Sequence, residues 1–328
     1  MEKGGCYSGA TMSGWISLPK AVTAAEEGIC EFVTGDFGHL YVPSAILCRD
    51  KTAYQEIVII ENATFGPILF LDRKIQVSYL DEERYHQYLV QGPLLSLAAP
   101  KSVYVIGGGD GGAIEEAAKH SGLSRIVMAE LDREVILRSQ EFLPKVSRGA
   151  FNDPRLDLRC VDALADLKAN RESYDVIIVD LTEPHGPSKM LYTREFYELL
   201  VSRLRPGGRI GIHTDNFSLF PESYGTIFHT LRSVFGENIA TTQIGMPSFG
   251  MDWSFRIASP DPVDLSLMEY RFEELTEAGM KLDAFHPSTY RVQPSEVERD
   301  VLKKYNRVST DEDPFDKFKL SPGYVTGK

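Results

Sequence analysis

No stretch of this sequence stays apolar for the roughly 20 residues that a bilayer-spanning helix needs. The opening segment, MEKGGCYSGATMSGWISLPK, also lacks an apolar core of signal-peptide length. No membrane partner and a cytoplasmic location are therefore expected. Positive charge is scarce as well: 35 Lys and Arg stand against 47 Asp and Glu, a formal net charge of −12. That balance disfavours a nucleic-acid partner, because displacing counterions from phosphates takes a basic surface. It suits a cationic ligand, or serves solubility alone. The four cysteines, Cys6, Cys30, Cys48 and Cys160, have no metal or redox spacing, and none of the seven histidines stands at ligand spacing from another His or an acid. Reduced thiols and no metal are the expectations. Internal repeats and low-complexity blocks are also missing.

What is there is a chain of 328 residues, 43% hydrophobic and 25% charged, enough for a full-sized core. Residues 1–30 are small, polar and glycine-rich without periodicity, and read as a loose N-terminal segment. Residues 31–80 change to short β-rich runs, EIVIIENATFGPILFLDRKIQVSYL, with turn signals at Glu61-Asn62 and Asp72-Arg73, and read as a small antiparallel β domain. Residues 81–97 return to helical spacing with Tyr85, Tyr88 and Leu89 on one face. After Pro100, short apolar runs (SVYVIGGG, RIVMAEL, LDLRC, YDVIIVDL, RIGIHT) alternate with helical stretches, the pattern of an α/β, doubly wound, mostly parallel sheet. IATTQIGM and SFRIAS read as an antiparallel hairpin closing its edge. Residues 81–328 then form the catalytic domain.

The run VYVIGGGDGGAIEEAAKH sets Gly107, Gly108, Gly109, Gly111 and Gly112 where a strand ends and a helix begins. Backbone must approach a ligand closely there, or simply pack tightly. The next strand ends in AELD, which puts Glu130 about 20 residues further on, where an acid accepts hydrogen bonds from two ribose hydroxyls. Asp162, in CVDAL beside Ala163, follows the third strand, where a carboxylate can accept from an adenine amino group. Each acid alone is equally a cap or a solvated residue. Together, at the ends of successive strands, they point to a nucleoside bound at the carboxyl edge of the sheet.

Asp110 sits inside the glycine loop, and a carboxylate there repels a pyrophosphate. The same carboxylate repels the carboxylate of S-adenosylmethionine but pairs with the lone ammonium of its decarboxylated form. The loop therefore favours aminopropyl over methyl transfer. Asp180 ends the fourth strand, and DLTEPHGPSKMLYT carries Glu183 in a Pro- and Gly-shaped loop. A protonated amine is not a nucleophile, so a base must take its proton. Asp180 is either that base or a cap on the turn.

The ordered set GGGDGG, AELD, CVDAL and YDVIIVD resembles the spermidine synthase family of aminopropyltransferases, and the likeness runs from about residue 31 to about residue 300. It takes in YQEIVIIENATFGPILFLD, IQVSYLDEERYHQYL and LYTREFYELL. The resemblance implies a Rossmann-like, methyltransferase-type fold, decarboxylated S-adenosylmethionine as co-substrate, no prosthetic group, a polyamine acceptor and a homodimer or homotetramer. It implies that Gln55, Gln76, Asp110, Glu130 and Asp162, with Gly107, Gly109 and Ala163, hold the nucleoside. Tyr85 and Asp180 fall on the pair that removes the proton and orients the amine, with His86 beside them. Glu183 stands where the family has a second Asp.

The sequence departs from the family pattern in several places. The usual Asp-Ser-Ser-Asp-Pro is DLTEP, the usual Gln after the fifth strand is His213 followed by Asp215, and the late Tyr is Phe249. MPSFGMDW resembles thermospermine synthases, and Glu115 and Glu116 replace an Arg after the loop. A longer acceptor is favoured, with Asp215 or Asp252 as its distal carboxylate; Trp253 belongs either to that channel or to the hairpin core. The alternatives are a methyltransferase on the same fold and a non-catalytic nucleoside or polyamine sensor.

Overall fold

The structure is a computed structural model that describes residues 28–318 apart from Gly35. Most of the loose N-terminal segment expected over residues 1–30 lies outside the described residues. Strands β1 (Ile29–Phe32) and β2 (Gly38–Tyr41) form an antiparallel ribbon, and β3 (Ala45–Lys51), β4 (Glu56–Asn62), β5 (Gly66–Leu71) and β6 (Lys74–Ser78) form a four-stranded antiparallel sheet. The β5–β6 turn is Asp72-Arg73, both with positive φ (46° and 64°), the two-residue geometry whose twist matches a tight hairpin. The antiparallel β domain expected here is two pieces among the described residues, the β1–β2 ribbon and the four-stranded sheet.

Helix α1 (Glu82–Leu95) leads into a seven-stranded sheet of order β12-β13-β11-β10-β7-β8-β9. Its strands are β7 (Ser102–Gly107), β8 (Arg125–Glu130), β9 (Leu156–Cys160), β10 (Tyr174–Asp180), β11 (Leu204–Thr214), β12 (Ile239–Met246) and β13 (Met251–Ala258). Strands β7 to β11 run parallel, and the β12–β13 hairpin closes the β11 edge antiparallel, as expected. Every residue of β7 is buried, as a strand covered on both faces requires. Val103 and Val105 pack on one face with Leu89, Ile126, Met128 and Ile178; Tyr104 and Ile106 pack on the other with Val127, Ile177, Ile210 and Leu231.

Strand order reverses between β7 and β10, the point at which open α/β sheets bind ligands. Asp180 is the register partner of Gly107 there, so the glycine loop and the end of β10 leave the sheet side by side. Helices α2 (Gly112–Ala118), α3 (Arg133–Phe142), α4 (Pro144–Ser147) and α5 (Ala163–Ala169) follow the first strands. Helices α6 (Arg194–Ser202) and α7 (Pro221–Phe235) flank β11, and α8 (Leu265–Glu277) and α9 (Glu296–Lys304) follow the hairpin. Beyond α9 the chain returns across the sheet: Ser309 accepts from the Arg194 N–H (2.9 Å), and Phe315 is buried.

Candidate active site

The carboxyl ends of β7, β8 and β10 deliver three acids to one crevice. Asp180 accepts a hydrogen bond from the Tyr85 hydroxyl (3.0 Å) through Oδ1. Its Oδ2 is buried and has no hydrogen-bond partner among the described residues. Burial, with Asp110 nearby, pushes the Asp180 carboxyl up to about 7 against the pull of His86 and the Tyr85 hydrogen bond. Burial also raises Glu130 to about 7; its Oε1 accepts from the Asp132 N–H at 2.8 Å, and the neighbouring acids Asp132, Asp180 and Asp110 add to the rise. Two carboxylates in this state are held ready for a cation.

Asp110 behaves differently. Its Oδ1 accepts from the Gly112 N–H (2.8 Å) and lies 3.3 Å from Nε2 of His86. Burial opposes its ionisation, but His86 and that N–H hold it below the usual carboxylate range. His86 is buried, with Nδ1 3.3 Å from Glu82 Oε2. Burial alone would lower its pKa, yet Asp110 and Glu82 raise it well above the ordinary value, which favours the imidazolium. Gly112 makes the arrangement possible: a Cβ there would lie 2.2 Å from the His86 ring. Gly107, at φ +78°, is needed for the same reason of space, because a Cβ would lie 2.2 Å from the Asp180 carbonyl oxygen.

His86, Asp110 and Asp180 have ligand atoms within 4.8 Å of one another, a grouping that the sequence separation hides. His86 Nε2, without a hydrogen-bond partner among the described residues, lies 3.3 Å from Asp110 Oδ1, a distance that suits an ion pair.

The other sequence-selected residues fall into three sets. Gln55 donates to Asp132 Oδ2 (3.0 Å), just beyond Glu130, and a Cβ on Gly109 would lie 3.1 Å from Glu130 Oε2. Asp162 is exposed and caps α5 by accepting from the Ala165 N–H (3.1 Å), with Ala163 buried as the first residue of that helix. Gln76, Tyr85, Glu183, His213, Phe249 and Trp253 all line one open cavity beside Asp180. Asp215 lies against it.

Two expectations change. Asp252 is exposed and is not among the residues lining the cavity, because alternation along β13 turns its neighbours Met251 and Trp253 inward. His213 offers the cavity its ring and no free nitrogen: Nε2 donates to the Leu181 carbonyl (2.6 Å) and Nδ1 accepts from the Trp253 indole N–H (3.2 Å). Burial keeps it neutral by lowering its pKa. Trp253 is accordingly both core and cavity wall.

Several residues at the site escaped the sequence reading. Glu31 and Lys74 enter from the N-terminal strands, Glu82 comes from α1, and Lys317 arrives from the C-terminal return. Lys317 Nζ lies 3.3 Å from Glu183 Oε1, 2.5 Å from Asp215 Oδ1 and 3.8 Å from the Phe220 ring centroid. Charged residues in an apolar-poor tail, DEDPFDKFKL, carry no periodic signal, so nothing local marked Lys317 out.

Known families supply the remaining context. A spermine/spermidine synthase domain matches residues 82–266, and a spermidine synthase tetramerisation domain matches residues 29–78. The chain belongs to the spermine/spermidine synthase family. It is an enzyme of the aminopropyltransferase class. Among curated relatives, polyamine aminopropyltransferase 2 of Pseudomonas aeruginosa is 38% identical over 224 residues, which are 67% of this chain and 64% of that protein, just under two thirds of its length. Polyamine aminopropyltransferase of Saccharolobus solfataricus is 34% identical over 283 residues, 84% of this chain and 93% of the relative. A spermidine synthase solved in complex with the transition state analogue AdoDATO has the same fold, with a TM-score of 0.75 at 23% identity, covering 85% of this chain and 94% of that one.

Proposed function

We propose that this family member transfers the aminopropyl group of decarboxylated S-adenosylmethionine to a primary amine of a polyamine and releases methylthioadenosine. The observation that carries the reading is Asp180: one oxygen held by Tyr85, the other buried without a partner, and a carboxyl pushed up to about 7. A base with that pKa suits proton removal near neutrality. In this reading Glu130 takes the ribose hydroxyls, Asp162 and Ala163 flank the adenine, and Gln55 and Gln76 close the nucleoside pocket. Asp110 receives the co-substrate ammonium.

The chemistry balances without a further reagent. Asp180 takes a proton from the substrate ammonium, the freed nitrogen pair attacks the carbon beside the sulfonium, and the carbon–sulfur bond breaks with its electrons returning to sulfur. Tyr85 orients the carboxylate, and the acids of the crevice hold the two cations in line. We also propose a cytoplasmic homo-oligomer. Support for the assembly comes from the match of residues 29–78 to a tetramerisation domain, and support for the location from the free thiols of Cys48 and Cys160.

The test is incubation of the purified chain with decarboxylated S-adenosylmethionine and a mixture of di- and triamines, followed by mass spectrometry. One aminopropyl unit gained on an amine, with methylthioadenosine released, supports the assignment. Methyl gain from S-adenosylmethionine, or binding without turnover, replaces it with the methyltransferase or sensor reading.

A further inference from the structure

The far end of the cavity is built as an ammonium site, and the chain itself fills it. The carboxylates of Glu183 and Asp215 approach from the ends of β10 and β11, and the rings of Phe220 and Trp253 complete the cage. Two anions and two aromatic faces around one position are what a desolvated alkylammonium requires. Lys317 Nζ sits there, 2.5 Å from Asp215 Oδ1, 3.3 Å from Glu183 Oε1, and 3.8 Å and 5.8 Å from the Phe220 and Trp253 ring centroids. Its side chain is 4% exposed, so this is no solvated surface lysine.

The lysine is held in place. Its own N–H donates to the Pro184 carbonyl (2.9 Å), Asp316 bonds Nδ1 of His185 (2.8 Å), and Asp311 accepts from the Thr193 hydroxyl (2.7 Å). These contacts tie the C-terminal return to both ends of the loop that carries Glu183. Glu183 and Asp215 already meet the Lys317 ammonium, and burial pushes the Glu31 carboxyl beside Lys74 up to about 7, so this end holds little net negative charge for an added cation. A diamine that has lost one proton for attack brings one charge. A triamine brings two.

We propose that Lys317 is a specificity-determining residue: its ammonium stands in for the second distal ammonium of a triamine and restricts the acceptor to diamines. The inference rests on the polyamine reading of the site, and it argues against the longer acceptor that the MPSFGMDW segment favours. Exclusion works through repulsion by a resident cation and through occupied carboxylates.

The test compares putrescine and spermidine as acceptors. In the unaltered chain, putrescine accepts the aminopropyl group at least about tenfold more efficiently, by kcat/KM, than spermidine; a spermidine preference overturns the proposal without any variant. Lys317→Met keeps an apolar stem against the rings and removes the charge, and is expected to raise the spermidine-to-putrescine ratio of kcat/KM by about tenfold or more. Lys317→Arg keeps the charge and leaves the ratio within about threefold of the unaltered chain. Equal ratios in all three proteins overturn the proposal. Calorimetric titration of each protein with spermidine and with putrescine separates this inference from the reaction: tighter spermidine binding by Lys317→Met supports it even if no amine gains mass, and unchanged binding overturns it.

Discussion

At the scale of single residues, Asp180 and Asp110 stand one strand apart and have opposite electrostatic fates. Asp110 is held ionised by the His86 imidazolium and a backbone N–H, whereas Asp180 receives only a phenol hydrogen bond and is pushed up to about 7. The acceptor kcat/KM is therefore expected to rise as pH climbs through about 7 and then level off, because Asp180 must be ionised to take a proton. Tyr85→Phe removes a hydrogen bond that lowers this pKa, so the rising limb should move to higher pH. Asp180→Asn should cut turnover by about a hundredfold or more while leaving nucleoside binding nearly intact. A pH–rate series on the three proteins checks both points, and near-normal turnover in Asp180→Asn removes it from the mechanism.

Asp110 carries a separate expectation at the same scale. Asp110→Asn should narrow the preference for decarboxylated over ordinary S-adenosylmethionine, because the carboxylate that repels the extra carboxyl group is gone. Competition binding of the two nucleosides measures it. The His86 imidazolium stays near Asp110 and tempers that repulsion, so narrowing by about tenfold is expected, and an unchanged preference refutes the role.

At the scale of elements, the site depends on α1 lying against the loop between β7 and α2. Tyr85 reaches Asp180 and His86 reaches Asp110 from consecutive positions on one helix, and this is possible only because residue 112 has no side chain. Gly112→Ala should displace the His86 ring, cost about 1–3 kcal/mol of stability, and weaken co-substrate binding. Thermal unfolding and nucleoside titration test this together; an unaltered melting temperature with full binding contradicts the packing argument. The elements themselves were largely legible in the sequence. β7, β10 and the β12–β13 hairpin lie where buried apolar runs and turn residues put them, because local pattern and tertiary burial agree there. The separate β1–β2 ribbon was not legible, since strand pairing depends on partners far along the chain.

At the scale of the whole molecule, the cavity is walled by three distant parts of the chain: Glu31 and Lys74 from the N-terminal strands, Tyr85 and His213 from the central fold, and Lys317 from the C-terminal return. The N-terminal strands also expose Phe37, Leu40 and Ile46, at 46%, 52% and 44%. Together with the tetramerisation-domain match over residues 29–78, these point to an assembly surface. Light scattering should report an oligomer for the unaltered chain and a smaller species for Leu40→Lys combined with Ile46→Lys. An identical mass for both proteins places the interface elsewhere.

The sequence by itself put the candidate acids at one edge of the sheet. Glycines at a strand end, and acids at the ends of successive parallel strands, have one place to go once the sheet forms, because parallel strands send their carboxyl ends to the same edge. Tertiary structure alone decided the charge states and the acceptor end. Burial raised the pKa of Asp180, Asp110 and Glu82 raised that of His86 against burial, the pleat turned Asp252 out of the cavity, and the C-terminal return brought Lys317 to Glu183 and Asp215. These outcomes rest on contacts between residues up to 134 positions apart, where desolvation and Coulomb forces act through space and leave no local pattern to read.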